Sequence, residues 1–132
     1  MKKADHSARR AAERHGRHSE LLARILLMLK GYRILGSRVR TKAGEIDFIA
    51  RSPSGILCFV EVKARETSET ALSAVRIPQQ SRIARAAQLY MAQTPGMAAK
   101  GVRFDVVTRH ARGLPRHIPD AWRPEDWHGP AA

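Results

Sequence analysis

The stretch GEIDFIARSPSGILCFVEVKAR, residues 44–65, decides the fold of this chain. Two apolar runs with the period of a β-strand flank a Pro-Ser-Gly turn, which predicts an antiparallel hairpin. Glu45 and Asp47 share one face of the first strand, and Glu61 and Lys63 share one face of the second. With the turn centred on this tripeptide, Asp47 lies opposite Glu61 and Glu45 opposite Lys63. Four charged groups therefore meet at the open end of a hairpin that is otherwise apolar.

The remaining chain supplies a helix before the hairpin and a strand–helix–strand unit that ends it. The predicted elements are a helix from Ser19 (N-cap) to Gly31 (stop), strands over 32–40, 45–50 and 56–63, a helix from Pro78 to about Met91, and a strand over 103–108. Three sequential strands pair most easily as an antiparallel meander, and a crossover helix adds the last strand parallel to the third. The expected fold is α/β, in the order α-β-β-β-α-β, with a mixed sheet and helices on both of its faces.

Composition indicates one domain with a polyanionic partner. A chain of 132 residues with 43% hydrophobic residues is long enough for one core. Twenty-four Lys and Arg against twelve Asp and Glu give a net charge of +12, which favours DNA or RNA over an anionic membrane. We expect a flexible basic segment over 1–15, the folded domain over 16–122, and a Pro-rich, loop-like tail over 123–132.

The sequence predicts a cytoplasmic protein without a membrane segment. The single Cys58 excludes an internal disulfide, and its apolar neighbours predict a buried thiol rather than a nucleophile. The apolar run over 21–29 contains Arg24 and is too short to cross a bilayer.

The charges in the hairpin have two explanations. A structural one is a cross-strand ion-pair network, in which Lys63 neutralises one carboxylate and nearby arginines neutralise the others. A functional one is a divalent-cation site, because Asp47 and Glu61 are oxygen ligands suited to Mg²⁺ or Mn²⁺. Lys63 on the same face would then orient or deprotonate a water molecule for phosphodiester hydrolysis.

The same residues carry a family resemblance. Asp47, followed by an apolar run and Glu61-Val62-Lys63, resembles the D…(D/E)-x-K signature of the restriction-endonuclease-like superfamily. The blocks GEIDFIA, FVEVKAR and RFDVV, in that order, resemble the YraN-like family of small bacterial predicted endonucleases, which is similar to archaeal Holliday-junction resolvases. The resemblance implies a restriction-endonuclease-like fold in which Asp47 and Glu61 bind metal and Lys63 is catalytic.

Three further residues enter the candidate site with less definite roles. Glu20 matches the family's N-terminal acid and is either a metal ligand or a helix-start glutamate favoured by the helix dipole. Glu45 is either a partner of Lys63 or a ligand of a second metal. Gln79 stands where the family commonly has a lysine, so the resemblance leaves the strength of phosphate binding there open.

Basic residues outside the hairpin are candidates for contacts with nucleic acid. Lys30, Arg33, Arg38, Arg40 and Lys42 form a stretch free of acids, and Arg82 and Arg85 lie three apart on the second helix, where a solvated face is the alternative. Two other features are open: Asp105 as an inward salt-bridge partner, and Trp122 with Trp127 as a cap on the core or a contact surface.

These observations predict a Mg²⁺-dependent (or Mn²⁺-dependent) nuclease that hydrolyses DNA, on a branched or single-stranded form. The alternatives are a non-catalytic nucleic-acid-binding module on the same fold, or an RNA- or ribosome-associated basic protein. We expect a nucleic acid, DNA first, as the partner and no membrane association; a homodimer stays open.

Overall fold

A computed structural model describes residues 18–64, 77–109, 113–125 and 127. The predicted flexible segment over 1–15, most of the connection between hairpin and second helix, and the end of the tail lie outside these residues. The elements are α1 (described part 18–29), β1 (Arg33–Thr41), β2 (Gly44–Arg51), β3 (Leu57–Ala64), α2 (Ile77–Gln93), β4 (Val102–Arg109) and β5 (Arg116–Ile118).

The strands form one mixed sheet in the order β1-β2-β3-β4-β5. The first three pair antiparallel, and β4 lies parallel to β3, as predicted. The predicted order, which ends at the strand over 103–108, lacks one strand, because β5 (116–118) adds antiparallel to β4. A strand of three residues is too short to show the alternation of a β-strand in the sequence. Only its pairing with the edge of β4 in the structure identifies it.

The predicted end of α1 at Gly31 is confirmed, but its predicted start at Ser19 is wrong. Ser19 is not the N-cap, since residue 18 is already helical and Ser19 is buried within the helix. Gly31 does end the helix, with a φ of 87°. The Gly31 amide donates to the Met28 carbonyl (3.1 Å) and the Tyr32 amide to the Leu27 carbonyl (2.9 Å), the pair of bonds that defines a Schellman motif.

The core has two layers, one on each face of the sheet. Ala23 and Leu27 of α1 pack with Phe48, Cys58, Val60 and Val107, while Ile83, Ala86 and Ala87 of α2 pack with Ile49, Leu57, Phe59 and Phe104. The alternation along β3 and the burial of Cys58 are therefore confirmed. Ile46 is an exception: a strict period of two along β2 would place it on the face of Phe48, but it packs in the α2 layer.

Trp122 and Trp127 close the α2 layer rather than standing apart from it. Trp122 is buried, with its ring centroid 4.5 Å from that of Phe104, and the Trp127 ring meets the same phenylalanine edge-on at 5.0 Å. Within the described part of the chain, no helix is long and apolar enough to cross a membrane.

Asp105 is the inward salt-bridge partner that the sequence indicated. It is fully buried and accepts bonds from the Arg103 guanidinium (2.8 Å), from His117 (Nε2, 2.8 Å) and from the Asp120 amide (3.0 Å). Burial alone would raise the pKa of Asp105, but these donors together lower it. The carboxylate thus ties β4 to β5 and to the turn that follows.

Candidate active site

The hairpin has the register that the sequence predicts. Phe48 pairs with Val60 and Ile49 with Phe59, and one step further along this register lie Asp47 and Glu61. At that step a side chain joins the strands, because the Val62 amide donates to Asp47 Oδ2 at 2.8 Å. Asp47 is therefore held in place by the backbone of the strand that carries Glu61 and Lys63.

A cavity of about 300 Å³ opens at this end of the hairpin. Its lining comes from residues 19–20 of α1, from β2 and β3, and from the first turns of α2. The lining residues are Ser19, Glu20, Glu45, Asp47, Glu61, Val62, Lys63, Ala64, Gln79 and Arg82. All six residues predicted as catalytic or metal-binding thus lie around one cavity, although they come from four separate elements.

Glu61 is the most perturbed group in the cavity. Its side chain is buried, with 4% relative exposure, and its pKa is raised from 4.5 to about 9. Burial is the largest cause, followed by the charge of Asp47 and a hydrogen bond to it, whereas Lys63 acts in the opposite direction. Glu61 therefore carries a proton at neutral pH when no cation is bound.

Two polar atoms of the lining are buried and lack a hydrogen-bond partner among the described residues. They are Glu61 Oε1 and Ser19 Oγ. Buried polar atoms are normally satisfied, so each indicates a water molecule, an ion or a ligand group. Ser19, which its residue type predicts as a helix N-cap, is therefore a further residue of this site that the sequence pattern did not indicate.

The donor set suits a divalent cation that keeps part of its hydration shell. Asp47 and Glu61 provide two carboxylates side by side, and Mg²⁺ is commonly held by one or two carboxylates with water and substrate phosphate completing the octahedron. Among the residues that the structure describes, no three His, Cys, Asp or Glu side chains are close enough to hold a metal by themselves. Asp47 and Glu61 are therefore donors of the kind that Mg²⁺ takes from proteins.

Two glutamates of the lining are paired with arginines of β1. Arg38 contacts Glu20 at 2.8 Å, and Arg40 contacts Glu45 at 3.5 Å. The part of the structural alternative in which arginines neutralise acids therefore describes Glu20 and Glu45. Asp47 and Glu61 are hydrogen-bonded to each other, and the charge of Lys63 lowers the pKa of Glu61.

α2 brings two donors to the cavity, at residues that follow its start at Ile77. Gln79 lines the wall, and the Arg82 side chain packs across Gly44, where an added Cβ would lie 3.0 Å from Arg82 Cδ. Gly44 also has a φ of 139°, so this position favours glycine on both counts. The turn before β2 thus leaves room for Arg82 to reach the site.

The residues predicted to contact nucleic acid do not all lie around the cavity. Arg82 lines it, and Arg38 and Arg40 hold two of its glutamates. Lys30 instead contacts the ring of His117, and Arg85 lines a separate groove. Arg33 and Lys42 are exposed on or beside β1. The contribution of each to nucleic-acid binding stays a prediction.

Comparison with known proteins gives the family. Residues 19–108 match the model of the "Uncharacterised protein family UPF0102". The chain belongs to UPF0102. This is the YraN family, so the resemblance carried by the GEIDFIA, FVEVKAR and RFDVV blocks is confirmed at the level of the family.

Curated UPF0102 proteins are similar over nearly their whole length. The chain is 45% identical to one from Paramagnetospirillum magneticum, over 88% of this chain and 92% of that protein. It is 47% identical to one from Rhizobium leguminosarum bv. trifolii (86% and 93%) and 46% identical to one from Caulobacter vibrioides (85% and 89%).

One solved structure aligns weakly with the UPF0102 chain. It is Pyrococcus furiosus SfsA in complex with Ca²⁺, with a TM-score of 0.31 and 16% identity over 83% of this chain and 63% of that one. A similarity at this level does not assign the fold.

Proposed function

We propose that this UPF0102 protein is a Mg²⁺-dependent nuclease with a restriction-endonuclease-like fold that hydrolyses phosphodiester bonds in DNA. The observation that carries the proposal is the cavity in which Asp47, Glu61 and Lys63 meet. There Glu61 is buried, and its Oε1 has no hydrogen-bond partner among the described residues. Its pKa, raised to about 9, is the kind of perturbation that is common at functional sites.

In this proposal Asp47 and Glu61 hold the cation. Bound there, Mg²⁺ would supply charge that polarises the phosphoryl group and stabilises its transition state. The Val62 amide orients Asp47, and Lys63, adjacent to Glu61 on the same strand face, positions the attacking water or neutralises charge on the phosphoryl oxygens. Gln79 and Arg82 lie where they can donate to the same phosphate.

The proton on Glu61 links metal binding to pH. A carboxyl group must lose its proton before it ligates a cation, so the cation has to displace the proton of Glu61. With a pKa of about 9 in the metal-free protein, this displacement becomes easier as the pH rises from 6 to 9. Metal affinity is therefore expected to increase over that range.

The charge of the chain supports a nucleic-acid substrate. A net charge of +12 on 132 residues provides the counterion-release contribution that dominates binding to DNA. We propose branched or single-stranded DNA as the form that is cut, which the family resemblance suggests.

A second candidate is a nucleic-acid-binding module without catalysis. It is favoured by the absence, in the described residues, of a three-ligand metal cluster and by Gln79 in place of the family's lysine. In that case the hydrogen-bonded pair Asp47–Glu61 would only fasten β2 to β3.

Incubation with a panel of labelled substrates distinguishes the two. Duplex, single-stranded, flap and four-way-junction DNA, with a matching RNA strand, are each incubated with Mg²⁺, Mn²⁺ or EDTA. The nuclease proposal expects metal-dependent cleavage of at least one substrate, lost in Asp47→Ala and retained in the surface control Asp120→Ala. Retention of nucleic acid by all variants, with no cleavage under any condition, would favour the binding module.

A further inference from the structure

Arg38 holds Glu20 at the edge of the cavity. Its Nε and Nη2 lie 2.9 and 2.8 Å from the same oxygen, Glu20 Oε2, and this pair joins β1 to α1. Glu20 lines the cavity together with Asp47 and Glu61, yet these three carboxylates are not close enough to hold one ion. Glu20 is therefore near the candidate metal centre but engaged by Arg38.

The backbone at Arg38 has an unusual conformation and lies beside a candidate metal ligand. In the register between β1 and β2, Ser37 pairs with Phe48 and Val39 with Ile46, so Arg38 lies across from Asp47. Arg38 has a φ of 50°, which is uncommon for a residue other than glycine and is often found at functional sites. The irregular conformation lies at the one position of β1 that faces the candidate metal ligand.

The pair is open to competition. The side chain of Arg38 is 51% exposed and that of Glu20 25%, and ion pairs with this much solvent contribute little net stability. A nucleic-acid phosphate is a strong competitor for Arg38, because guanidinium binds phosphate through two parallel hydrogen bonds. A divalent cation competes for Glu20, because a carboxylate oxygen is a ligand that can replace one of the water molecules on the cation.

From these contacts we propose that Arg38 is a positioning residue that keeps Glu20 off the metal centre until a substrate phosphate binds Arg38. Phosphate and metal then bind cooperatively. A phosphate that binds Arg38 releases Glu20 for the cation, and a cation that binds Glu20 releases Arg38 for the phosphate. This inference rests on the proposed metal-dependent nuclease function. It adds that the affinity of the site for the cation is highest when substrate is bound. By linkage, the cation must strengthen nucleic-acid binding by the same factor.

The test measures Mn²⁺ affinity by calorimetry on the full chain without nucleic acid. Arg38→Gln should bind Mn²⁺ at least about fivefold more tightly than the wild type, the lower end of typical coupling between sites, because Glu20 is released. Arg38→Lys should stay near the wild type, and the double variant Glu20→Gln/Arg38→Gln should lose the gain. Arg40→Gln is the matched control, since it also removes one positive charge that is paired with a cavity glutamate.

A second arm adds a single-stranded oligonucleotide in a Lys63→Ala background, in which cleavage is not expected. The oligonucleotide should tighten Mn²⁺ binding when Arg38 is present and much less in Arg38→Gln. Equal effects of Arg38→Gln and Arg40→Gln in the first arm, or equal tightening in the second, would overturn the inference while leaving the nuclease proposal standing. A wild type that binds no Mn²⁺, with or without the oligonucleotide, would overturn both.

Discussion

Replacing Glu61 by glutamine should change how the stability of the protein depends on pH. Glutamine has the shape of the protonated carboxyl group and can still donate a hydrogen bond to Asp47, but it cannot ionise. The pKa of Glu61 is raised from 4.5 to about 9 in the folded protein, chiefly by burial. Between these two values the folded state binds more protons than the unfolded state, so the stability of the wild type falls as the pH rises.

The magnitude follows from the same two values. A pKa raised from 4.5 to about 9 corresponds to about 6 kcal/mol between pH 4 and pH 9, which is an upper limit because water entering the cavity would lessen it. Small domains are stable by only about 5–15 kcal/mol, so even a third of this loss is easily measured. Glu61→Gln should be as stable as the wild type near pH 5 and more stable by about 2 kcal/mol or more at pH 9.

Urea melts in EDTA at intervals from pH 5 to pH 9 provide the measurement. Glu45→Gln is the control, since Glu45 lines the same cavity but is partly exposed and paired with Arg40. If the free energies of unfolding of the wild type and Glu61→Gln change with pH in parallel over the whole range, the pKa of Glu61 is not raised in the folded protein. The argument for a metal site then loses its main support. Adding Mg²⁺ at pH 8 should stabilise the wild type and leave Glu61→Gln unchanged, because only the carboxylate can exchange its proton for the cation.

Three other substitutions test separate parts of the structure. Lys63→Ala should bind nucleic acid with nearly unchanged affinity in an anisotropy titration and lose cleavage; unimpaired cutting would make the lysine structural. Asp105→Asn should lower the free energy of unfolding by about 3 kcal/mol in urea melts, since it removes the fully buried carboxylate that pairs with the partly buried Arg103, whereas Asp120→Asn on the surface should cost less than about 1 kcal/mol. Gly31→Ala should cost about 1 kcal/mol, because its φ of 87° disfavours a side chain although the nearest atom leaves room for one; an unchanged melt would show that the end of α1 adjusts.

The sequence was most informative where a pattern has a short period and a definite turn. Alternation and the Pro-Ser-Gly turn predicted that Asp47 lies across from Glu61. The observed register, in which Phe48 pairs with Val60, agrees. Helical spacing located both helices and the Gly31 stop. Strand ends differed from prediction by about one residue, since pairing with a neighbour, rather than propensity, sets where a strand ends.

Predictions failed where a long-range contact overrides a local preference. Ser19 is a good N-cap by residue type, but α1 begins before it and the serine is buried against the cavity. Ile46 leaves the alternation of its strand beside the irregular Arg38 of β1. β5 exists because β4 offers it an edge, and its three residues carry no signal of their own.

The amino-acid order alone thus determined the hairpin, the strand–helix–strand unit and the types of chemical group at the open end, because these depend on neighbours within a few residues and on one tight turn. Only the tertiary structure decided what those groups do to one another. Burial of Glu61 beside Asp47 raises its pKa, α1 and α2 close the cavity from two sides, and Arg38 of β1 engages Glu20 of α1. Burial, charge proximity and ion pairing depend on distances in space between residues far apart in the chain, and those distances exist only once the sheet has formed between its two helices.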